Sequence, residues 1–272
     1  MMHLWLIFTV YLEDQMAYIE FNALSTLLCG SFTARLFLPE MNKMFLDDTE
    51  HTVKYPVIYL LHDDGGLSAD FIQTSAEKIA DKYRCLVICP DVQHCCGTDM
   101  VYGPKYEKFL IEELPGICRN CFPASVDPSQ VYIGGIGTGA YGALKTYFDH
   151  ADCFAGALAI DGMVDMADFC RRARSPEGTG TYQNVRSLEA MFENIDQIEG
   201  SDKDLFTLSH QFPTKKVFLY SPKNSKRNEQ NRRLAQDIKG EVKLIQEDLD
   251  GEGPRGYYSL LAAAEFLFKE NC

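Results

Sequence analysis

The sequence is short of positive charge. Lys and Arg total 26 against 39 Asp and Glu, giving a net charge of −13 and a pI near 4.9. A surface of that sign repels phosphate backbones and anionic headgroups, so nucleic acid and anionic membranes are not expected partners. Long apolar runs are also missing. Leu4-Trp-Leu-Ile-Phe-Thr-Val10 is far shorter than the roughly 20 residues a spanning helix needs, so no membrane span is expected. It has neither the basic leader nor the small-residue cleavage site of a secretory signal. There is no low-complexity tract and no internal repeat. Histidine is scarce: six in all, and none after His210.

Met16 opens a more ordinary beginning, Met16-Ala-Tyr-Ile-Glu-Phe-Asn22. Residues 1–15 therefore read as an upstream extension or a misassigned start, with an uncleaved membrane-surface anchor as the alternative. Residues 16–272 read as one domain, a length that α/β folds often fill as a single unit. The ten cysteines are too dilute for a small disulfide scaffold. Several lie in apolar runs such as Cys85-Leu-Val-Ile-Cys89, where cysteine acts as a small core residue. They read as reduced thiols in a cytoplasm. Cys118-Arg-Asn-Cys121 is a lone C-x-x-C without a second pair, taken as packing or surface cysteines.

Apolar runs of strand length alternate with helical spacing along the chain. Ala17–Phe21 and Ser31–Leu38 read as two early strands, antiparallel at a sheet edge. Pro56–His62, Cys85–Cys89, the opening of Val131–Lys145, Phe154–Ile160, Lys216–Tyr220 and Val242–Gln246 read as further strands, the inner ones buried on both faces. Helices are expected over Ala69–Tyr83, with Phe71, Ile72, Ile79 and Tyr83 on one side, and over Tyr106–Cys121, Asn228–Ile238 and Tyr257–Lys269. Residues 163–212 read as a lid-like helical insertion. This rhythm predicts an α/β chain: a doubly wound, mostly parallel sheet with helices on both faces.

The organising stretch is Val131-Tyr-Ile-Gly-Gly-Ile-Gly-Thr-Gly-Ala-Tyr-Gly-Ala-Leu-Lys145, a strand, a tight glycine turn and a helix. In a serine hydrolase that turn is G-x-S-x-G and lifts a nucleophilic serine above the strand end. Here it is Gly135-Ile136-Gly137-Thr138-Gly139, with glycine in the middle. Together with Tyr55–His62, Tyr106–Pro123 and Asn231-Arg-Arg233, this stretch resembles the esterase family of α/β-hydrolases that holds esterase D, S-formylglutathione hydrolase and tributyrin- and acetyl-esterase-like proteins. The resemblance spans roughly Met16 to the C-terminus and implies an α/β-hydrolase fold.

The resemblance also implies positions for a catalytic triad, and the residues there are unsuited to it. The nucleophile falls on Gly137, which has no side chain. The acid falls on Asn224 or Ser225, neither a carboxylate. The histidine falls nearest Gly253, in a segment with no histidine. The His-Gly that shapes the oxyanion loop is His62-Asp63 here, and a carboxylate at Asp63 or Asp64 would oppose an oxyanion if it points inward. Glycine at the turn relieves a strained backbone once the chemistry is given up. The implied function is an esterase-family homologue inactive as a serine esterase, with no cofactor, binding a small molecule or a protein partner, or pairing as a homo-oligomer. The alternative is a carboxylic ester hydrolase using Cys95, Cys96 or Thr138.

Further pocket candidates are His62, His94 and Asp161. His62 is expected to be a hydrogen-bonded strand-end residue. His94-Cys95-Cys96 with Asp63, Asp64 and Asp161 could form a metal site or a Cys–His pair, but zinc-type ligand spacing is lacking and no metal is expected. Lys223, Lys226, Arg227, Arg232 and Arg233 read as a solvated basic face.

Overall fold

The computed structural model describes residues 18–39, 54–93, 95–175, 178, 183–211, 214–248 and 256–269. Eight strands form one sheet: β1 (Tyr18–Ser25), β2 (Gly30–Phe37), β3 (Val57–Leu61), β4 (Leu86–Pro90), β5 (Val131–Ile136), β6 (Gly156–Ile160), β7 (Lys216–Tyr220) and β8 (Glu241–Ile245). Their order across the sheet is β1-β2-β4-β3-β5-β6-β7-β8. β1 and β2 pair antiparallel at one edge, β2 joins β4 antiparallel, and every other pairing is parallel. β3, β4 and β6 are buried along their whole length, as their unbroken apolar runs require when helices cover both faces.

The helices are α1 (Ala76–Lys82), α2 (Tyr106–Lys108), α3 (Leu114–Cys121), α4 (Thr138–Asp149), α5 (Met166–Ala173), α6 (Val185–Phe192), α7 (Leu205–Gln211), α8 (Asn228–Asp237) and α9 (Tyr257–Leu267). Two hydrophobic clusters lie on opposite faces of the sheet. One gathers α1 and α9 around Ile58, Val87 and Phe218; the other gathers α3, α4 and the 163–212 helices around Tyr59, Ile133 and Leu219. α4 is buried from Thr138 to Phe148. The 163–212 stretch is tied into the second cluster by Met163, Phe169, Leu188, Met191 and Leu205, all with almost no exposure.

Two expected helices are divided. Over 69–83, a 3₁₀ turn (Ser68–Gln73) precedes α1. The Thr74 hydroxyl donates to the Phe71 carbonyl at 2.8 Å and accepts from the Ala76 N–H at 3.2 Å, competing with the backbone at the break. Ile72, expected on one side with Phe71 and Ile79, is 37% exposed while those two are buried. Over 106–121, a π turn (Phe109–Glu113) separates α2 from α3. Pro115 lies just beyond it. Its ring would clash with the carbonyl four residues back, and it brings no N–H to an α ladder. No helix among the described residues is long and apolar enough to cross a membrane, and the nine described cysteines are free. The 1–15 extension, His94 and Gly253 lie outside the described residues.

Candidate active site

The carboxyl ends of the parallel strands open on a crevice, the usual ligand location in such sheets. The loop after β3 carries His62-Asp63-Asp64-Gly65-Gly66. The loop after β4 adds Asp91, Val92 and Gln93. The turn after β5 is Gly137-Thr138, the residue after β6 is Asp161, and the segment after β7 runs from Ser221 to Arg227. Two cavities of about 460 and 640 Å³ lie on either side of the β3 loop, both lined by His62, Asp63 and Asp64.

Gly137 sits between β5 and α4 at φ 58° and ψ −117°, a conformation that costs a side-chain-bearing residue about 1–3 kcal/mol. Its N–H donates to the Ile160 carbonyl at 3.0 Å, and its carbonyl accepts from Met163 at 2.9 Å. The turn is therefore pinned to the loop after β6. Two residues on, the Gly139 backbone approaches the His62 carbonyl so closely that a Cβ there would clash. The strand–turn–helix thus keeps the sharp form of a nucleophile elbow without a nucleophilic side chain on it.

The space above Gly137 is filled by Asp63. A Cβ built on residue 137 would lie within 3.0 Å of Oδ1, Cγ and Oδ2 of that carboxylate. Asp63 Oδ1 accepts from the Thr138 N–H at 2.8 Å, the Asp64 N–H at 2.9 Å and the Thr138 hydroxyl at 3.2 Å. Two backbone N–H groups converging on one anionic oxygen is the donor arrangement of an oxyanion hole. Here the oxyanion is the chain's own side chain. Asp63 does point inward, and the turn donors accommodate its charge rather than being left vacant.

Arg227 faces this carboxylate. Its Nη1 lies 3.9 Å from Asp63 Oδ2 and 3.8 Å from Asp161 Oδ2, and donates to the Asp161 carbonyl at 2.9 Å. The side chain is 18% exposed, so the expectation of a solvated basic face fails for this residue. Arg227 immediately precedes α8, which turns its guanidinium back over the crevice. Asp161 has a left-handed backbone, φ 47°. Its Oδ1 accepts from Ser225 Oγ at 2.5 Å and Ser221 Oγ at 3.3 Å. Asp63, Arg227, Asp161 and Ser225 thus form one polar chain across the crevice. Asn224, the other expected acid position, is exposed.

His62 accepts from the Val92 N–H through Nε2 at 3.0 Å, and its Nδ1 donates to the Asp63 carbonyl at 2.8 Å. Both ring nitrogens are thus engaged with backbone, and the residue shapes the loop as its strand-end position suggests. Asp64 Oδ1 accepts from Gln183 Nε2 at 3.1 Å, which links the 163–212 stretch to the crevice floor. Cys95 and Cys96 are buried, at 1% and 5% exposure. Burial pushes the Cys95 thiol up to about 12 and the Cys96 thiol well above its ordinary value, so neither is poised as a thiolate nucleophile. Among the described residues no group of three His, Cys, Asp or Glu side chains is arranged to hold a metal ion. Arg227 and Gln183 are the members that sequence reasoning missed; a basic residue shortly after the β7 strand was visible, but its direction was not.

This sheet order with an elbow over β5 defines an α/β-hydrolase. Residues 25–232 match the family described as "Putative esterase", and the chain belongs to that family. An acetyl esterase of Caldicellulosiruptor saccharolyticus is 22% identical over 246 residues, covering 87% of this chain and 91% of that protein. Among solved structures, a substrate-bound fluorophosphonate-binding serine hydrolase of Staphylococcus aureus superposes with a TM-score of 0.75 at 19% identity, covering 94% of this chain and 98% of that one. The S-formylglutathione hydrolase of the same organism superposes at 0.74 with 20% identity, covering 94% and 99%. At these identities the structural likeness shows the fold.

Proposed function

We propose that this chain is an esterase-family α/β-hydrolase without serine esterase activity, which uses its crevice to bind a small molecule or a protein partner. The observation that carries the proposal is the Asp63 carboxylate seated in the space of a residue-137 side chain and taking the Thr138 and Asp64 N–H donors. Hydrolysis by the family's route needs a nucleophile at 137, a base to activate it and an open hole for developing charge. Position 137 offers no nucleophile, no histidine follows His210, and the hole is filled. Cavities of about 460 and 640 Å³ are of ligand-binding size. Residues 16–272 acting as one cytoplasmic domain, with 163–212 covering the crevice through Gln183, belong to the same proposal.

The test is turnover. Purified wild type is offered p-nitrophenyl acetate and butyrate and a fluorophosphonate probe, with an active esterase of the family as positive control and Gly137→Ser alongside. The expected result is hydrolysis at the buffer rate and no labelling of wild type. Enzyme-like turnover abolished by Cys95→Ala, Cys96→Ala or Thr138→Val would establish the alternative, a carboxylic ester hydrolase with a non-standard nucleophile.

A further inference from the structure

We propose that the crevice contains a preformed carboxylate site that Asp63 occupies in cis, so that replacing Asp63 by glycine opens the site to short carboxylates such as acetate and butyrate. Three hydrogen-bond donors and one cation define it. The Thr138 N–H stands at the start of the twelve-residue helix α4, the Asp64 N–H comes from the opposite loop, and both meet at Asp63 Oδ1 at 2.8 and 2.9 Å. The Thr138 hydroxyl reaches the same oxygen at 3.2 Å. The Arg227 guanidinium stands 3.9 Å from the other oxygen. A helix N-terminus favours an anion by itself, but here a second loop N–H, a hydroxyl and a cation are aimed at the same group, and a carboxylate is seated among them.

The backbone does not need that carboxylate to hold its shape. Gly137 is pinned by the Ile160 and Met163 hydrogen bonds, His62 by Val92 and its own loop, and Gly139 packs directly on the β3 end. The donors should therefore stay aimed when the Asp63 side chain is absent, leaving N–H groups that an incoming carboxylate can satisfy. Asp64 does not refill the hole from the side, because its Oδ1 accepts from Gln183. Glycine at 137 supplies the remaining room, since no Cβ projects into the space. The wild-type crevice consequently discriminates against carboxylates, and this holds whether or not the wild-type chain turns over any ester.

The experiment is calorimetric titration of sodium acetate and sodium butyrate, at constant ionic strength, into wild type, Asp63→Gly, Asp63→Ala, Asp63→Asn and Asp63→Gly/Arg227→Met, each first checked for a cooperative thermal transition. Asp63→Gly and Asp63→Ala are expected to bind carboxylate at least tenfold more tightly than wild type. Asp63→Asn keeps an acceptor oxygen in the hole and should stay closed, as wild type does. Adding Arg227→Met should weaken binding severalfold. Either folded small-residue variant binding no better than wild type overturns the proposal. Asp63→Asn binding as tightly as Asp63→Gly also overturns it, because loss of charge rather than vacancy would then be the cause. If Asp63→Gly fails to fold, Asp63→Ala decides.

Discussion

Asp63 and Gly137 are each shaped to the other: the Asp63 carboxylate lies where any side chain at residue 137 would have to begin. This makes a double-mutant prediction. Gly137→Ala must carry a Cβ at φ 58°, at a cost of about 1–3 kcal/mol. In wild type it must also evict a carboxylate that accepts three hydrogen bonds, each to a charged group and worth about 1.5–3 kcal/mol. In an Asp63→Gly background only the backbone strain remains. Urea denaturation should find Gly137→Ala at least about 1.5 kcal/mol less costly there than in wild type. Equal costs in the two backgrounds would mean that Asp63 can swing aside freely.

The fold was legible because its signals are local and redundant. The runs at Val57–Leu61, Leu86–Pro90 and Gly156–Ile160 have strand length and no polar face, and the glycine turn after Ile136 marks the elbow. The two broken helices were not legible, since helical spacing persists through Thr74 and Pro115 while the hydrogen bonding does not. At the site, the sequence names the residues at positions 63, 137 and 161 but not their directions. That Asp63 turns into the elbow depends on Thr138, which lies 75 residues away, and that Arg227 turns back over the crevice depends on where α8 begins. Side-chain direction across loops is long-range information that periodicity does not carry.

The second polar network lies away from the crevice. Lys145 Nζ on α4 donates to Glu107 Oε2 at 2.7 Å and Asp149 Oδ2 at 2.6 Å, with the Lys145 and Glu107 side chains each 10% exposed. Lys145→Met would remove the ammonium between two carboxylates in a half-dry site, leaving Glu107 to the His150 ring at 3.4 Å. Removing one member of such a buried pair costs about 3–5 kcal/mol. Chemical denaturation of Lys145→Met should fall in that range, and the double variant Lys145→Met/Glu107→Gln should recover part of the loss. A loss below about 1 kcal/mol would show that water reaches the carboxylates.

Thiol accessibility separates the two functional readings. Cys29, Cys121 and Cys153 are exposed, whereas Cys85, Cys89, Cys95, Cys96, Cys118 and Cys170 are buried. Burial pushes the thiols of Cys95, Cys118 and Cys170 up to about 12, so at neutral pH almost none of each is thiolate. Brief iodoacetamide treatment of the native protein, read by peptide mass spectrometry, should modify the exposed three and spare Cys95 and Cys96. Rapid alkylation of Cys95 or Cys96 would reveal a reactive thiol in the crevice and favour the alternative nucleophile.

The same buried network sets a pH dependence with two opposite limbs. Burial pushes the Glu107 carboxyl up, but its hydrogen bond with His150 and the Lys145 charge outweigh this and bring it from 4.5 down to about 2. A carboxyl lowered on folding adds stability that is complete above its ordinary value and is lost as pH falls toward 2. Burial moves Asp149 the other way, so the quantity to measure is the difference in unfolding free energy between wild type and Glu107→Gln, which should shrink between about pH 4.5 and 2. His150 is raised above 6.5, chiefly by its hydrogen bond with Glu107 and against the effect of its own burial. Its contribution is complete below 6.5 and is lost as pH rises through the higher folded value. An NMR titration of the His150 ring should therefore give a midpoint above 6.5 in wild type. In Glu107→Gln, where burial acts without the carboxylate partner, the midpoint should drop. An unchanged midpoint would show that Glu107 does not hold the imidazolium, and with it the acid limb assigned to this pair would lose its basis.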